Sequence, residues 1–383
     1  MASYSNEPLR NPNLTINSKE PFNAEPPTDV LREHFVTPND QFYVRNHAPV
    51  PNLDGRTHRV QVAGLVPHPL ELTAEQLRSQ YEQVTVMATL MCAGNRRTEM
   101  ASIKKVRGVG WGHAAISNAI WRGPRLRDVL LNAGIEKLES QWEDLHVDFE
   151  GVDICKENRG YGSSIPLMKA MDPRGDVIIA LEMNGSELPR DHGYPMRMVV
   201  PGIVGARSVK WLKSICVMAQ ESTNYYQKRD YKLFPPHVDW DTVDDWWDKA
   251  PAIQELPVQG AIIQPKQGEA ITTGSPYTIK GYAISGGGRR ITRVDVSLDG
   301  GKSWEIARLF SKVNEYHAKN KTKWSWEFWE FPVLAFPSPC EVVVKAWDEA
   351  SNTMPQDLAQ IWNLRGVMNN SWIRVKVNSK SRF

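Results

Sequence analysis

Val84-Thr85-Val86-Met87-Ala88-Thr89-Leu90-Met91-Cys92-Ala93-Gly94-Asn95-Arg96-Arg97 runs from an apolar, β-branched stretch into a lone thiol, a glycine turn and two adjacent guanidiniums. Residues 84–90 are patterned as a buried strand, so Cys92 falls where that strand gives way to a loop. Fixed positive charge stabilises a thiolate, the form of cysteine that binds metals or attacks electrophiles. Arginine in turn holds an oxyanion through several hydrogen bonds at once. The pairing points to a metal centre that processes a small anion, although an isolated cysteine is more often a small buried hydrophobe.

Outwards from this stretch, residues 59–63, 177–181 and 196–200 read as strands, and 126–133 and 165–170 as short helices. Residues 73–79 read as a helix with Thr73 as its cap and Gln76 three residues on. Short mixed elements broken by Gly and Pro predict an α+β domain of mixed α/β content, not a doubly wound sheet. After Trp247 the chain changes character: Pro251, Pro257 and Pro265 lead into strand-like runs at 277–284, 291–298, 324–331 and 341–347. Asp299-Gly300-Gly301 marks a hairpin among them. Repeated short strands of this kind predict an all-β, immunoglobulin-like sandwich. The expected domains are residues 1–252, of which 1–27 form an extended arm rich in Pro and Asn, and residues 253–383. Ser285-Gly286-Gly287-Gly288-Arg289-Arg290 lacks the following helix and Lys-Ser/Thr end of a phosphate loop, and reads as a loop between strands.

The 46 basic and 44 acidic side chains nearly cancel, which leaves no general basic field for nucleic acid. No apolar run approaches the ~20 residues that cross a bilayer, so no membrane span is expected. Cys92, Cys155, Cys216 and Cys340 are scattered and form no CxxC pair, which argues against a zinc knuckle and for a reducing compartment. The last three of these read as structural. The polar residues 1–14 lack the apolar core of a secretory signal. Ser381-Arg382-Phe383 has the small–basic–apolar form of a peroxisomal address, so the peroxisome is the expected location, with the cytoplasm as the alternative. The sequons at Asn13, Asn320 and Asn369 have no use in a chain that is never secreted.

Cys92-Ala93-Gly94-Asn95-Arg96-Arg97 resembles the signature loop of the sulfite oxidase family of molybdenum enzymes. Asp191-His192-Gly193-Tyr194-Pro195 and residues 200–211 resemble that family's pterin-binding stretch, and Arg229-Asp230-Tyr231-Lys232 and Trp362-Asn363-Leu364-Arg365-Gly366-Val367 also fit. These motifs keep one order from about Glu20 to about Val377, far more specific than any of them alone. The resemblance implies molybdenum bound through Cys92 and carried on molybdopterin, with no haem, no flavin and a homodimer formed by the second domain. It implies a substrate wall of Arg45, Arg97, Trp111, Tyr231 and Arg365. It also implies cofactor contacts from Tyr43, Asn46, His47, Asp153, His192, Arg197, Ser208, Val209 and Lys210.

The implied reaction is oxygen-atom transfer from the molybdenum centre to sulfite, giving sulfate. In the haem-free plant type that the chain resembles, dioxygen takes the electrons and hydrogen peroxide is formed. Converging guanidiniums suit a compact doubly charged anion that must be desolvated. A nitrate-reducing molybdenum domain is the rival enzyme. Nitrate reductases of the family depart from Arg at the position of Arg365, which favours sulfite here. A non-catalytic molybdopterin carrier is the rival of another class, and the presence of all five wall residues counts against it.

Overall fold

The computed structural model describes residues 3–310 and 324–380. The strand Gln83–Met91 pairs antiparallel with Ile116–Pro124 along its whole length, and Glu182–Met183 and Ser186–Glu187 extend the sheet on the far side. From Val86 onwards both faces of this strand are buried, which is why its sequence is a continuous apolar run and does not alternate. A second sheet carries, in spatial order, Leu70–Thr73, Arg59–Gly64, Leu212–Met218, His146–Ile154 and Gly160–Pro166. Its pair between Arg59–Gly64 and Leu212–Met218 is parallel, so the sheet is mixed.

Short helices fill the space beside these sheets. Ala74–Gln80 starts with the reciprocal capping box that the sequence predicts: Gln76 N–H donates to the Thr73 hydroxyl oxygen, and Thr73 N–H donates to Gln76 Oε1. The helix expected from residue 165 begins instead at Leu167, because Ile165 and Pro166 complete the strand Gly160–Pro166. Proline favours this boundary, since it cannot donate within a helix. Residues 1–27, expected as an extended arm, fold more than that. Thr15–Ser18 and Asn23–Glu25 form a three-stranded sheet with Val44–Arg45. The buried Glu25 carboxylate accepts from the Gly112 and Ala114 amides at 2.8 and 3.0 Å.

The second domain is a β-sandwich. One sheet runs Gln259–Gln264, Tyr277–Ile284, Glu327–Val333, Arg308–Phe310, and the other Ala270–Thr272, Ile373–Lys380, Cys340–Asp348, Ile291–Ser297, Glu305–Ile306. Ile279, Val294, Trp329, Phe336, Val342 and Val344 fill the space between them. The strand expected from residue 324 starts at Glu327, because the side chains before it turn into the first domain. Trp324 donates from its indole to Asp176 Oδ2 at 2.8 Å, and Trp326 to the Phe35 carbonyl at 3.1 Å. The glycine-rich run at 285–290 is a loop between two strands, and its Gly286 and Gly287 amides donate to Leu256 and Gly202 carbonyls. Asn369 is fully buried and donates to the Arg96 carbonyl at 3.1 Å, leaving no space for a glycan. The Asn320 sequon and Ser381-Arg382-Phe383 lie outside the described residues. Among the described residues no helix is long and apolar enough to cross a membrane.

The largest apolar cluster runs unbroken from Val60 and Ile215 in the first domain to Ile284 and Phe328 in the second. Tyr282 anchors this junction: its hydroxyl donates to the His113 carbonyl at 2.8 Å and accepts from Asn95 Nδ2 at 3.0 Å. Tyr282→Phe leaves two buried partners unmatched, and is expected to lower unfolding free energy by about 1–3 kcal/mol in chemical denaturation.

Candidate active site

Cys92 sits just past the end of Gln83–Met91, nearly buried, with its amide on the Ala115 carbonyl at 2.9 Å. The next turn separates the two adjacent arginines. Arg96 has a left-handed backbone, φ 63°, and its side chain points away from Cys92 to Glu99 and the Ser371 carbonyl. Arg97 turns back. Its Nε donates to the carbonyls of Arg365 and Gly366, both at 3.1 Å, and its Nη1 to Val109 at 2.6 Å. A Cβ on Gly94 or Gly108 would lie 2.7 Å from that guanidinium, so a side chain at either position would push Arg97 off its carbonyls. Burial lowers the Arg97 pKa, and the neighbouring Cys92 charge opposes the shift.

Arg45 is carried to the same place by its short strand. It donates to Asn23 Oδ1 at 3.1 Å and to the Asn46 carbonyl, and its Nη2 meets His47 Nε2 at 2.8 Å. Burial, reinforced by Arg45, Lys210 and Arg365, holds His47 well below its ordinary pKa, so the ring is neutral. With Arg45 donating, His47 Nε2 is an acceptor, and it also takes the Tyr231 hydroxyl at 3.1 Å. Burial pushes the Tyr231 phenol up to about 12, so it remains a donor at neutral pH. Arg365 pairs with Asp230, the residue before Tyr231, while its own buried Nε has no partner among the described residues. Trp111 is fully buried in the apolar cluster of Phe42, Tyr43, Leu90 and Cys92, and among the same residues its indole N–H has no partner either.

A concave cavity opens beside Cys92, lined by a few polar and charged groups among apolar ones, as small-molecule sites are. Of the residues expected at the site, Tyr43, Arg45, Asn46, His47, Cys92, Asp153, His192, Arg197, Ser208, Val209, Lys210 and Tyr231 line it. Arg97, Trp111 and Arg365 do not, being held behind it by the contacts just described. Arg197 is buried and donates only to carbonyls, those of His192 and Ser208 at 3.0 Å and Met198 at 3.2 Å. Burial pushes it down to about 10. Lys210 donates to the Asp191 carbonyl at 2.7 Å and to Asn46 Oδ1, and burial pushes it down to about 7. His192, pushed down to about 4 by burial, meets the Asn39 carbonyl through Nε2 at 3.0 Å. Burial pushes Asp153 up to about 6; its Oδ2 accepts from the Cys155 thiol at 3.3 Å and its Oδ1 has no partner among the described residues. Ser208 Oγ accepts from the Val200 amide at 3.1 Å, and the Val209 carbonyl accepts from Met198 at 2.8 Å.

These groups fit an anionic pterin cofactor. Arg97 and Arg197 are buried and Arg45 half-buried, and the hydrogen-bond partners of all three are carbonyls, an amide oxygen and an imidazole, so the cluster favours an incoming anion. The orphaned Asp153 oxygen is a ready acceptor for pterin N–H groups, and Cys92 is a soft ligand for the metal. Among the described residues no three His, Cys, Asp or Glu side chains converge as a metal site. Two contributors escaped the sequence. Tyr161 stacks on His47 with ring centres 4.5 Å apart, and Tyr226 meets the same ring edge-on at 4.4 Å. Neither carries a motif that marks it out from a core aromatic.

Comparison with known proteins decides the family. Residues 47–226 match the oxidoreductase molybdopterin binding domain, and residues 250–380 the Mo-co oxidoreductase dimerisation domain. The mitochondrial sulfite oxidase of Homo sapiens is 49% identical over 98% of this chain and 67% of its own length. The chain belongs to the sulfite oxidase family of molybdenum enzymes. The sulfite oxidase of Arabidopsis thaliana is 47% identical over 98% of this chain and 96% of its own. Within the wider molybdopterin group, a nitrate reductase of Hordeum vulgare is 45% identical over 96% of this chain and 42% of its own. The sulfane dehydrogenase SoxCD of Paracoccus pantotrophus shares the fold, with a TM-score of 0.77 at 26% identity over 97% of this chain and 90% of its own. As a member of the sulfite oxidase family the chain is a molybdenum-dependent oxidoreductase, and the soft ligand and anion-seeking pocket are the parts such an enzyme needs.

Lys210 supplies a test of this electrostatic picture in cofactor-free protein. Its folded pKa lies below the ordinary lysine value, so between about 7 and 10.5 the unfolded chain binds the extra proton. Stability is therefore expected to rise with pH across that window, the Lys210 contribution approaching about 1.4 kcal/mol per pH unit. Denaturation curves for Lys210→Met should show a flatter rise.

Proposed function

We propose that this protein oxidises sulfite to sulfate and passes the electrons to dioxygen, releasing hydrogen peroxide. The observation that carries the reading is the set of guanidiniums held by uncharged acceptors near one thiol, Arg97 and Arg197 buried and Arg45 half-buried. The sulfite oxidases among its relatives support the substrate. When bound, the molybdenum–molybdopterin group supplies two-electron redox and oxygen-atom transfer. The chain's own residues bind and orient. Arg45 at the cavity, with Arg97 and Arg365 behind it, offsets the two charges of sulfite, and the neutral His47 fixes the Arg45 fork while receiving the Tyr231 hydroxyl. Trp111 packs behind the apolar side.

Overall, sulfite, water and dioxygen give sulfate and peroxide, so sulfur loses the two electrons that dioxygen gains. That the reaction needs neither haem nor flavin is part of the proposal, supported by the match to the Arabidopsis sulfite oxidase. A homodimer formed through the second domain is part of the proposal, supported by that domain's family match. So is a peroxisomal location, where peroxide is destroyed as it forms. Nitrate reduction is the second reading, favoured by the Hordeum relative. The presence of Arg at 365 supports sulfite over it.

The direct test is sulfite-dependent oxygen uptake by the molybdenum-loaded protein, with peroxide and sulfate expected in step with oxygen lost. Turnover only with an artificial acceptor would remove dioxygen from the proposal, and nitrate reduction without sulfite oxidation would replace it. Cys92→Ser is expected to abolish turnover in a folded protein. Arg365→Met is expected to lower kcat/KM for sulfite roughly 10- to 100-fold, the worth of a charge-assisted hydrogen bond. Unchanged kinetics in either variant would remove that residue from the site.

A further inference from the structure

The N-terminal stretch reaches the cofactor pocket from behind. Arg10 donates to Asp191 through both Nε and Nη2, at 2.8 and 2.9 Å, a fork-on-carboxylate pair. Its guanidinium lies 3.8 Å from the Phe22 ring centre, and Glu7 accepts from it on the same side. Glu7 also accepts from the Val50 amide at 2.8 Å, while Arg190 donates to the Asn6 carbonyl at 2.8 Å. Asp191 stands between this strap and the pocket. Its side chain accepts from Asn46 Nδ2 at 3.3 Å, and its carbonyl accepts from Lys210 Nζ at 2.7 Å. Asn46 and Lys210 line the cavity, whereas Arg10 does not.

We propose that residues 6–11 latch the anion-binding end of the cofactor pocket, with Arg10 acting as a positioning residue through Asp191. Asp191 is the group that Arg10 controls. Its carboxylate is largely buried and lies within electrostatic reach of Lys210. Held by the Arg10 fork, it turns both oxygens to the arm, one of them shared with Asn46, and lends Lys210 only its carbonyl. Released from Arg10, it becomes a buried carboxylate in search of a cation, and the Lys210 ammonium, already on its carbonyl, is at hand as a replacement. That pairing would spend on Asp191 the charge that an anionic cofactor needs. Arg10 therefore protects the cofactor's cation by occupying its competitor. The inference rests on Asn46 and Lys210 holding the cofactor.

The test follows cofactor loss from the purified holoprotein, measuring released pterin by fluorescence after oxidation and retained molybdenum by elemental mass spectrometry. Arg10→Met is expected to release cofactor at least tenfold faster than the parent protein, with Arg10→Lys in between. Lys210→Met alone should also release faster, and adding Arg10→Met to it should change little, because Arg10 acts through Lys210. Wild-type retention in Arg10→Met would overturn the latch, as would a double variant whose two effects multiply in full. Wild-type retention in Lys210→Met would instead overturn the cofactor assignment on which the latch rests. Should Arg10→Met fail to fold, Arg10→Lys makes the same comparison, alone and combined with Lys210→Met.

Discussion

Buried positive charge without a matching carboxylate is the constraint around which this molecule is arranged. A folded chain ordinarily avoids it, because removing a guanidinium from water costs several kcal/mol even after relaxation. Here Arg97 and Arg197 are placed that way, with the half-buried Arg45 beside them, each tethered by uncharged acceptors that fix direction without cancelling charge. The tethers come from Asn23 in the N-terminal sheet, from the segment around Arg365 and from carbonyls at 192, 198 and 208. A site so built has an affinity for anions before any anion arrives. Its neutral members matter as much: a charged His47 beside Arg45 would add repulsion where an acceptor is needed.

The two domains meet because of the same site. Arg97 is held by carbonyls at 365 and 366, Arg365 is paired with Asp230, and Tyr282 enters the first domain between Asn95 and His113. Arg207 adds a fully buried guanidinium whose donors go to the Ile253 carbonyl at the domain boundary. The core continues across this joint, so the second domain cannot swing as a separate body without opening apolar surface.

How much of this was legible in the sequence depended on whether the deciding interaction was local. The capping box at Thr73 and Gln76 and the hairpin turn at Asp299-Gly300-Gly301 are settled within a few residues, and both were read directly. Local pattern failed where tertiary pairing took over. Ile165 and Pro166 look like the start of a helix, yet the neighbouring strand His146–Ile154 claims them. Residues 15–25 look like a polar arm, yet they pair with Val44–Arg45. Family motifs located most of the cavity's lining, but they said nothing of Tyr161 or of the neutral state of His47. Those depend on what is buried beside what, and no spacing along the chain records it.

Arg96 and Arg97 are neighbours in sequence with opposite destinations, and the left-handed backbone at Arg96 is what parts them. One turns back behind the Cys92 pocket; the other ties Glu99 to the Ser371 carbonyl, 275 residues away along the chain. A single peptide unit thus serves as both the axle of Arg97 and a rivet of the domain joint. Changes at Ser371 or Asn369, though distant along the chain, therefore bear on the same turn that sets the direction of Arg97, as well as on the stability of the joint.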